Sequence, residues 1–243
     1  MTKNPIHTNA INILYEDPSI LVCVKPRGVA TQSKRSGTPD MVSLLKNHIY
    51  HNSPKKDEPY LAVIHRLDQP VKGILVFAKS LFAAKELNRQ LQNQEFGKYY
   101  HALVDGHPPK SAGTLEDYII KDTRTNTSKI CSANTKDAKI ARLHYTIIKE
   151  GQGHFKMGHD DFNWGRGKMK IPPSPTELEI HLETGRHHQI RVQLANAGCP
   201  IVGDTKYNPR FKHSDEWQEI QLYAYKLEFR HPENHKIMRF QLS

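Results

Sequence analysis

Two runs in this chain alternate apolar and polar residues with a period of two. Ala141, Leu143, Tyr145 and Ile147 mark one, and Leu178, Ile180 and Leu182 the other. Successive side chains leave a β-strand on opposite faces, so each run demands a strand with one buried face. Short apolar runs bounded by turn-forming residues repeat the signal at 11–15 and 20–24 around a turn at 16–19, and again at 61–64, 74–78, 99–104, 115–120, 222–229 and 238–242. Helical spacing is confined to three places. Val42, Leu45 and Ile49 share a face within 41–49. Leu81, Ala84, Leu87 and Leu91 follow an N-cap at Ser80 and stop near Gly97. Ile190, Leu194 and Ala197 end at Gly198. Many strands with a few inserted helices predict an α+β fold, with a mixed, mainly antiparallel sheet and flanking helices.

Charge narrows the partner. The 35 Lys and Arg outnumber the 25 Asp and Glu, for a net charge of +10, which makes nucleic acid the leading partner class. No apolar run reaches the ~18 residues of a membrane span, and the start at Met1-Thr2-Lys3 has no signal-peptide pattern. A cytoplasmic location is expected. Cys23, Cys131 and Cys199 are far apart and form no Cys-x-x-Cys pair, which argues against a disulfide framework or a thiolate zinc site. They read as small buried or half-buried apolar residues. The many His lack a His-Glu-x-x-His pattern, and the adjacent His187 and His188 are expected to diverge, which disfavours a metallohydrolase. No metal and no cofactor are expected.

Residues 1–10 read as a poorly ordered lead and 11–243 as one domain. Within it, 151–175 is dominated by Gly, Pro, His, Lys and Met and is too long for an ordinary connection. It reads as a flexible basic insertion.

Three regions carry candidate chemistry. His65-Arg66-Leu67-Asp68 lies at a strand-to-strand junction, and in an extended segment Arg66 and Asp68 leave on the same side. The guanidinium would hold the carboxylate ionised for work as nucleophile or base, or the two form a surface pair of little consequence. Lys98 and Tyr100 share a face of the strand at 99–104, where a Tyr stacks on a base while the ammonium holds a phosphate, or simply fills the core. Glu183-Thr184-Gly185-Arg186-His187-His188-Gln189-Ile190-Arg191 turns from a strand into a helix, a setting suited to phosphate, with Arg191 able to project inward toward a carboxylate.

Together these regions resemble the pseudouridine synthases of the RluA type. The resemblance rests on His65-Arg66-Leu67-Asp68 through Gly73, Lys98-x-Tyr100-x-Ala102, and Thr184-Gly185-Arg186-x-His188-Gln189-Ile190-Arg191. Val24-Lys25-Pro26-Arg27-Gly28 and Pro200-Ile201-Val202-Gly203-Asp204 with Tyr207 resemble further family segments in the expected order. It implies the family's fold, with an RNA-binding cleft across the sheet, and isomerisation of uridine to pseudouridine in structured RNA. By it Asp68 is the catalytic aspartate, Arg191 the arginine that pairs with it, Tyr100 the surface for the target uracil, and Arg66 an arginine that enters the RNA stack. Lys98 and Ile190 join the substrate-binding set. Val71-Lys72 replaces the family's usual Thr-Ser, and the RNA-binding domain of the S4 type that many relatives carry is not expected ahead of residue 11. Large-subunit ribosomal RNA is the first expected substrate, with transfer RNA the alternative. A non-catalytic RNA-binding or ribosome-assembly protein is the competing reading, opposed by the joint presence of Asp68, Tyr100 and Arg191. No obligate protein partner is implied, and a monomer is expected.

Overall fold

The computed structural model describes residues 11–33, 37–54, 56–150, 172–212 and 219–242. The lead at 1–10 and residues 151–171 of the expected insertion lie outside them. The chain divides into two compact units, Met1–Phe96 with Leu227–Gln241, and Gly97–Lys226 with Leu242–Ser243.

In the first unit, β1 (Asn12–Glu16) and β2 (Ile20–Lys25) form an antiparallel hairpin. Its turn is made by Asp17, whose carboxylate accepts the backbone N–H groups of Ser19 and Ile20, both at 2.8 Å. The helix α1 (Met41–Asn52) starts on a reciprocal cap: Asp40 accepts from the Ser43 N–H, and the Ser43 hydroxyl accepts from the Asp40 N–H. After β3 (Ala62–Val63), the strand β4 (Lys72–Ala78) runs between β2 and β3. Every residue of β2 is buried, as is β4 from Gly73 onward, so these two strands are the heart of this unit.

Ser80 caps α2 (Leu81–Gln92) by accepting from the Ala83 N–H at 3.1 Å. The buried stripe is Ala83, Ala84, Leu87 and Gln90. Ala84 and Leu87 are on the expected face, whereas Leu81 stands 60% exposed because the first helical residue precedes the stripe. Gln90 is buried because its amide grips the backbone of Arg230 in both directions, donating to the carbonyl at 3.0 Å and accepting from the N–H at 2.9 Å.

The second unit is built on β5 (Gly97–Asp105), β6 (Ala112–Asp122), β7 (Thr127–Cys131), β8 (Lys139–Glu150) and β9 (Pro175–Leu182), paired antiparallel in the order β5-β9-β8-β6-β7. The alternation read from sequence is the burial observed: Ala141, Leu143, Tyr145, Leu178, Ile180 and Leu182 all face the core. Pro175 already opens β9, so the last residue of the segment set apart by composition belongs to a strand. The helix α3 (Gln189–Asn196) packs against β6 and β7.

The chain leaves the second unit within β10 (Leu222–Arg230), and β11 (Ile237–Gln241) belongs to the first. There Phe229 stacks on Phe96 at 5.5 Å and on Phe240 at 6.1 Å, and His231 Nε2 lies 2.7 Å from Asp17. The expected α+β class with a mainly antiparallel sheet is thus observed. Cys23 and Cys199 are buried and Cys131 half-buried, as expected. Among the described residues, no helix is long and apolar enough to cross a membrane.

Candidate active site

Asp68 sits in the first unit, on the loop between β3 and β4. Two anchors fix that loop to the backbone that follows β2. Leu67 donates its N–H to the Thr31 hydroxyl oxygen at 3.2 Å, and that hydroxyl donates back to the Leu67 carbonyl at 3.1 Å. Gln69 accepts the Gly28 N–H on its carbonyl and donates its side-chain amide to the Gly28 carbonyl, both at 2.9 Å. Gly28 has φ +77, a left-handed backbone that glycine adopts without strain. The Val71 N–H closes the turn on the Asp68 carbonyl at 3.0 Å. Leu67 is buried and Asp68 half-buried, so the carboxyl is presented on a loop whose neighbours on both sides are tied down.

Lys25 completes the support. It is fully buried, and its ammonium donates to the carbonyls of Val29 at 2.7 Å and of Pro26 and Gln69 at 3.0 Å. Burial pushes its pKa down to about 7, the Asp68 carboxylate opposing and Arg27 adding to the fall. The sequence points instead to Arg66 as the local counterion. Arg66 is exposed, on the same loop as Asp68. The segment is not a strand, so the two-residue alternation that would align them does not operate.

In the second unit, Lys98 and Tyr100 occupy one face of β5, each only 6% exposed. Ile190 and Arg191 are buried in the first turn of α3. Arg191 does project inward to a carboxylate, and one that sequence reasoning had not singled out: Asp204, with Nε at 2.8 Å from one oxygen and Nη2 at 2.7 Å from the other. Asp204 also accepts the N–H groups of Lys206 and Tyr207, so the turn that delivers it is built around the same carboxylate. Gly203, just before it, has φ +75, and a Cβ there would fall 2.0 Å from the Glu219 carbonyl oxygen. Only glycine fits. Gln189 and Gln193 pin α3 to the sheet, through the Arg142 carbonyl at 3.1 Å and Asp117 at 2.8 Å respectively.

The two adjacent histidines depart from expectation. His187 and His188 do not diverge; their rings stack with centroids 3.8 Å apart. His188 caps α3 with φ +53, and this left-handed turn swings its ring back over its neighbour. Its Nδ1 lies 2.8 Å from the Tyr207 hydroxyl, which also accepts the Ser128 N–H at 2.6 Å. Burial, then the Arg191 cation and the neighbouring His187, push the His188 pKa down to about 2. The unfolded chain therefore takes up this proton first, and stability is lost as the pH falls below about 6.5. His188→Asn keeps a residue tolerant of positive φ and removes the titration. Urea unfolding between about pH 6.5 and 4 is expected to show a slope shallower than wild type by up to about 1.4 kcal/mol per pH unit. An unchanged slope would count against the buried neutral histidine.

Comparison with known proteins gives a consistent picture. Residues 19–196 match the family model described as RNA pseudouridylate synthase. The chain is 31% identical over 233 residues to ribosomal large subunit pseudouridine synthase D of Vibrio cholerae, an alignment covering 91% of this chain and 64% of that protein. It is 31% identical over 232 residues to the uncharacterized RNA pseudouridine synthase YlyB of Bacillus subtilis, covering 95% and 68%. Among solved structures, human RNA pseudouridylate synthase domain containing 1 shares the fold with a TM-score of 0.70 at 20% identity, over 99% of this chain and 86% of that one.

Proposed function

From the premise that the chain belongs to the RNA pseudouridylate synthase family, a family of isomerases acting on RNA, we propose that it converts specific uridines of large-subunit ribosomal RNA to pseudouridine. The observation that carries the reading is the half-exposed Asp68 carboxyl, on a loop tied down at Leu67 and Gln69 with the buried Lys25 ammonium behind it. The name of the Vibrio cholerae relative supports the choice of ribosomal RNA.

The reaction gains and loses no atoms. The bond from C1′ to N1 breaks, the base turns, C1′ bonds to C5, and the proton leaving C5 is matched by one arriving at N1. The uridine must first leave its stack, which costs a few kcal/mol and is offset by new stacking and phosphate contacts. In this reading Asp68 acts at the ribose–base linkage and Tyr100 offers its ring to the uracil. Lys98 and Ile190 contact the substrate, and Arg66, exposed, enters the RNA stack. Arg191 keeps the role the resemblance gives it, and Asp204 fixes the orientation of its guanidinium.

The test is to map pseudouridines by carbodiimide labelling in total RNA from cells with and without this gene. Loss of one or a few sites in large-subunit RNA is expected. Loss confined to transfer RNA would move the substrate, and no lost site at all would overturn the assignment.

A further inference from the structure

Lys98 poses a problem that the roles above leave open. It is buried on β5, and among the described residues its one acceptor is the Glu183 carbonyl, 3.5 Å away. An ammonium carries three donors, and a buried one short of acceptors is costly. The carboxylate of Glu183 gives no relief, being turned to His144 at 2.5 Å and Arg142 at 3.6 Å. The charge that Lys98 feels is another cation, Arg186, which adds to burial in pushing its pKa down to about 8. Arg186 itself is half-buried and donates from Nε to the Ile140 carbonyl at 2.8 Å. Between the two cations in the 183–186 turn is Gly185, where a Cβ would lie 3.8 Å from Lys98 Nζ. The missing side chain leaves the approach to the ammonium open.

We infer that Lys98, Gly185 and Arg186 form a site for one phosphodiester group of the RNA strand, with Lys98 as its buried donor. This rests on the RNA-modifying reading above and specifies which part of the substrate these residues hold. A phosphate supplies acceptors for the unmet donors of Lys98 and offsets two neighbouring positive charges at once. A neutral base carbonyl would satisfy a donor and leave the charges uncompensated. Lys98 lies two residues from Tyr100 on the same strand face, about 7 Å along β5, a span that one nucleotide covers.

The test uses a short labelled RNA fragment carrying the uridine identified by the mapping experiment, with binding followed by fluorescence anisotropy from about 50 to 200 mM salt. Lys98→Met is expected to weaken binding about tenfold or more and to reduce the slope of log Kd against log salt by about 0.7–1, the signature of one lost phosphate contact. Lys98→Arg should retain the slope. Gly185→Ala, with an ordinary backbone at that position, should weaken binding in the same direction. The melting temperature of Lys98→Met should be no lower than wild type, because an uncompensated buried charge has been removed. A merely structural lysine predicts the reverse, a lower melting temperature with an unchanged slope. Weaker binding with an unchanged slope would assign Lys98 to a neutral group and overturn the inference, as would unchanged binding. If mapping returns no uridine dependent on this chain, the RNA-modifying reading fails first and the phosphate site with it.

Discussion

Asp68→Asn is expected to lower pseudouridine formation by at least about 10³-fold. Asparagine matches aspartate in size and leaves the backbone turn to Val71 in place, so the melting temperature should move by only a few degrees. RNA binding should persist or tighten, since one negative charge has gone from a protein that meets a polyanion. The loss therefore belongs in kcat rather than in KM. Carbodiimide labelling of the modified uridine, read against time for wild type and variant, makes the comparison. Full activity in Asp68→Asn would sink the assignment. Unfolding of the variant would instead mean that the carboxylate holds the loop, a task that the anchors at Thr31, Gly28 and Lys25 already perform.

The largest effect on stability is expected at Asp204. Its carboxylate is fully buried and pairs through both oxygens with Arg191, whose side chain is 5% exposed. Asp204→Ala removes the carboxylate bonded to that guanidinium and also orphans the N–H groups of Lys206 and Tyr207. Removing one partner of a buried pair costs about 3–5 kcal/mol, which urea unfolding would register directly. Replacing both partners is a different matter, because well-packed apolar residues in place of a buried pair are often neutral or stabilising. Asp204→Leu with Arg191→Met should recover much of the stability and none of the activity. A single variant within about 1 kcal/mol of wild type would show that the pair is not the structural element described.

The strands could be read from the sequence wherever burial falls on one face. Ala141, Leu143 and Tyr145, like Leu178, Ile180 and Leu182, alternate because water is on one side of them only. The strand Thr127–Cys131 escaped notice because Thr-Ser-Lys-Ile-Cys has neither an apolar run nor a period. Asp68, Tyr100 and Arg191 stood out in the sequence as candidates, and their surroundings were not legible. Lys25 is charged, and nothing in a linear pattern marks this lysine as fully buried. Asp204 stands thirteen residues from Arg191, a separation that only the turn at Gly203 converts into contact. The stacking of His187 on His188 depends on one left-handed residue, a conformation that no side-chain periodicity encodes.

The passage of the chain back into its first unit at Leu227 has a consequence for synthesis. A ribosome extends a chain at about 5–20 residues per second, and the segment bearing Asp68 emerges before Gly97–Lys226 of the second unit. Gln90 then waits for the backbone of Arg230, Phe96 for the ring of Phe229, and Asp17 for His231. Residues Gly97–Lys226 of the second unit are translated in the meantime. The unit that carries Asp68 can therefore mature only after Gln241 has been added, so a chain terminated before that point holds its aspartate on an unfinished scaffold and is a ready target for proteolysis.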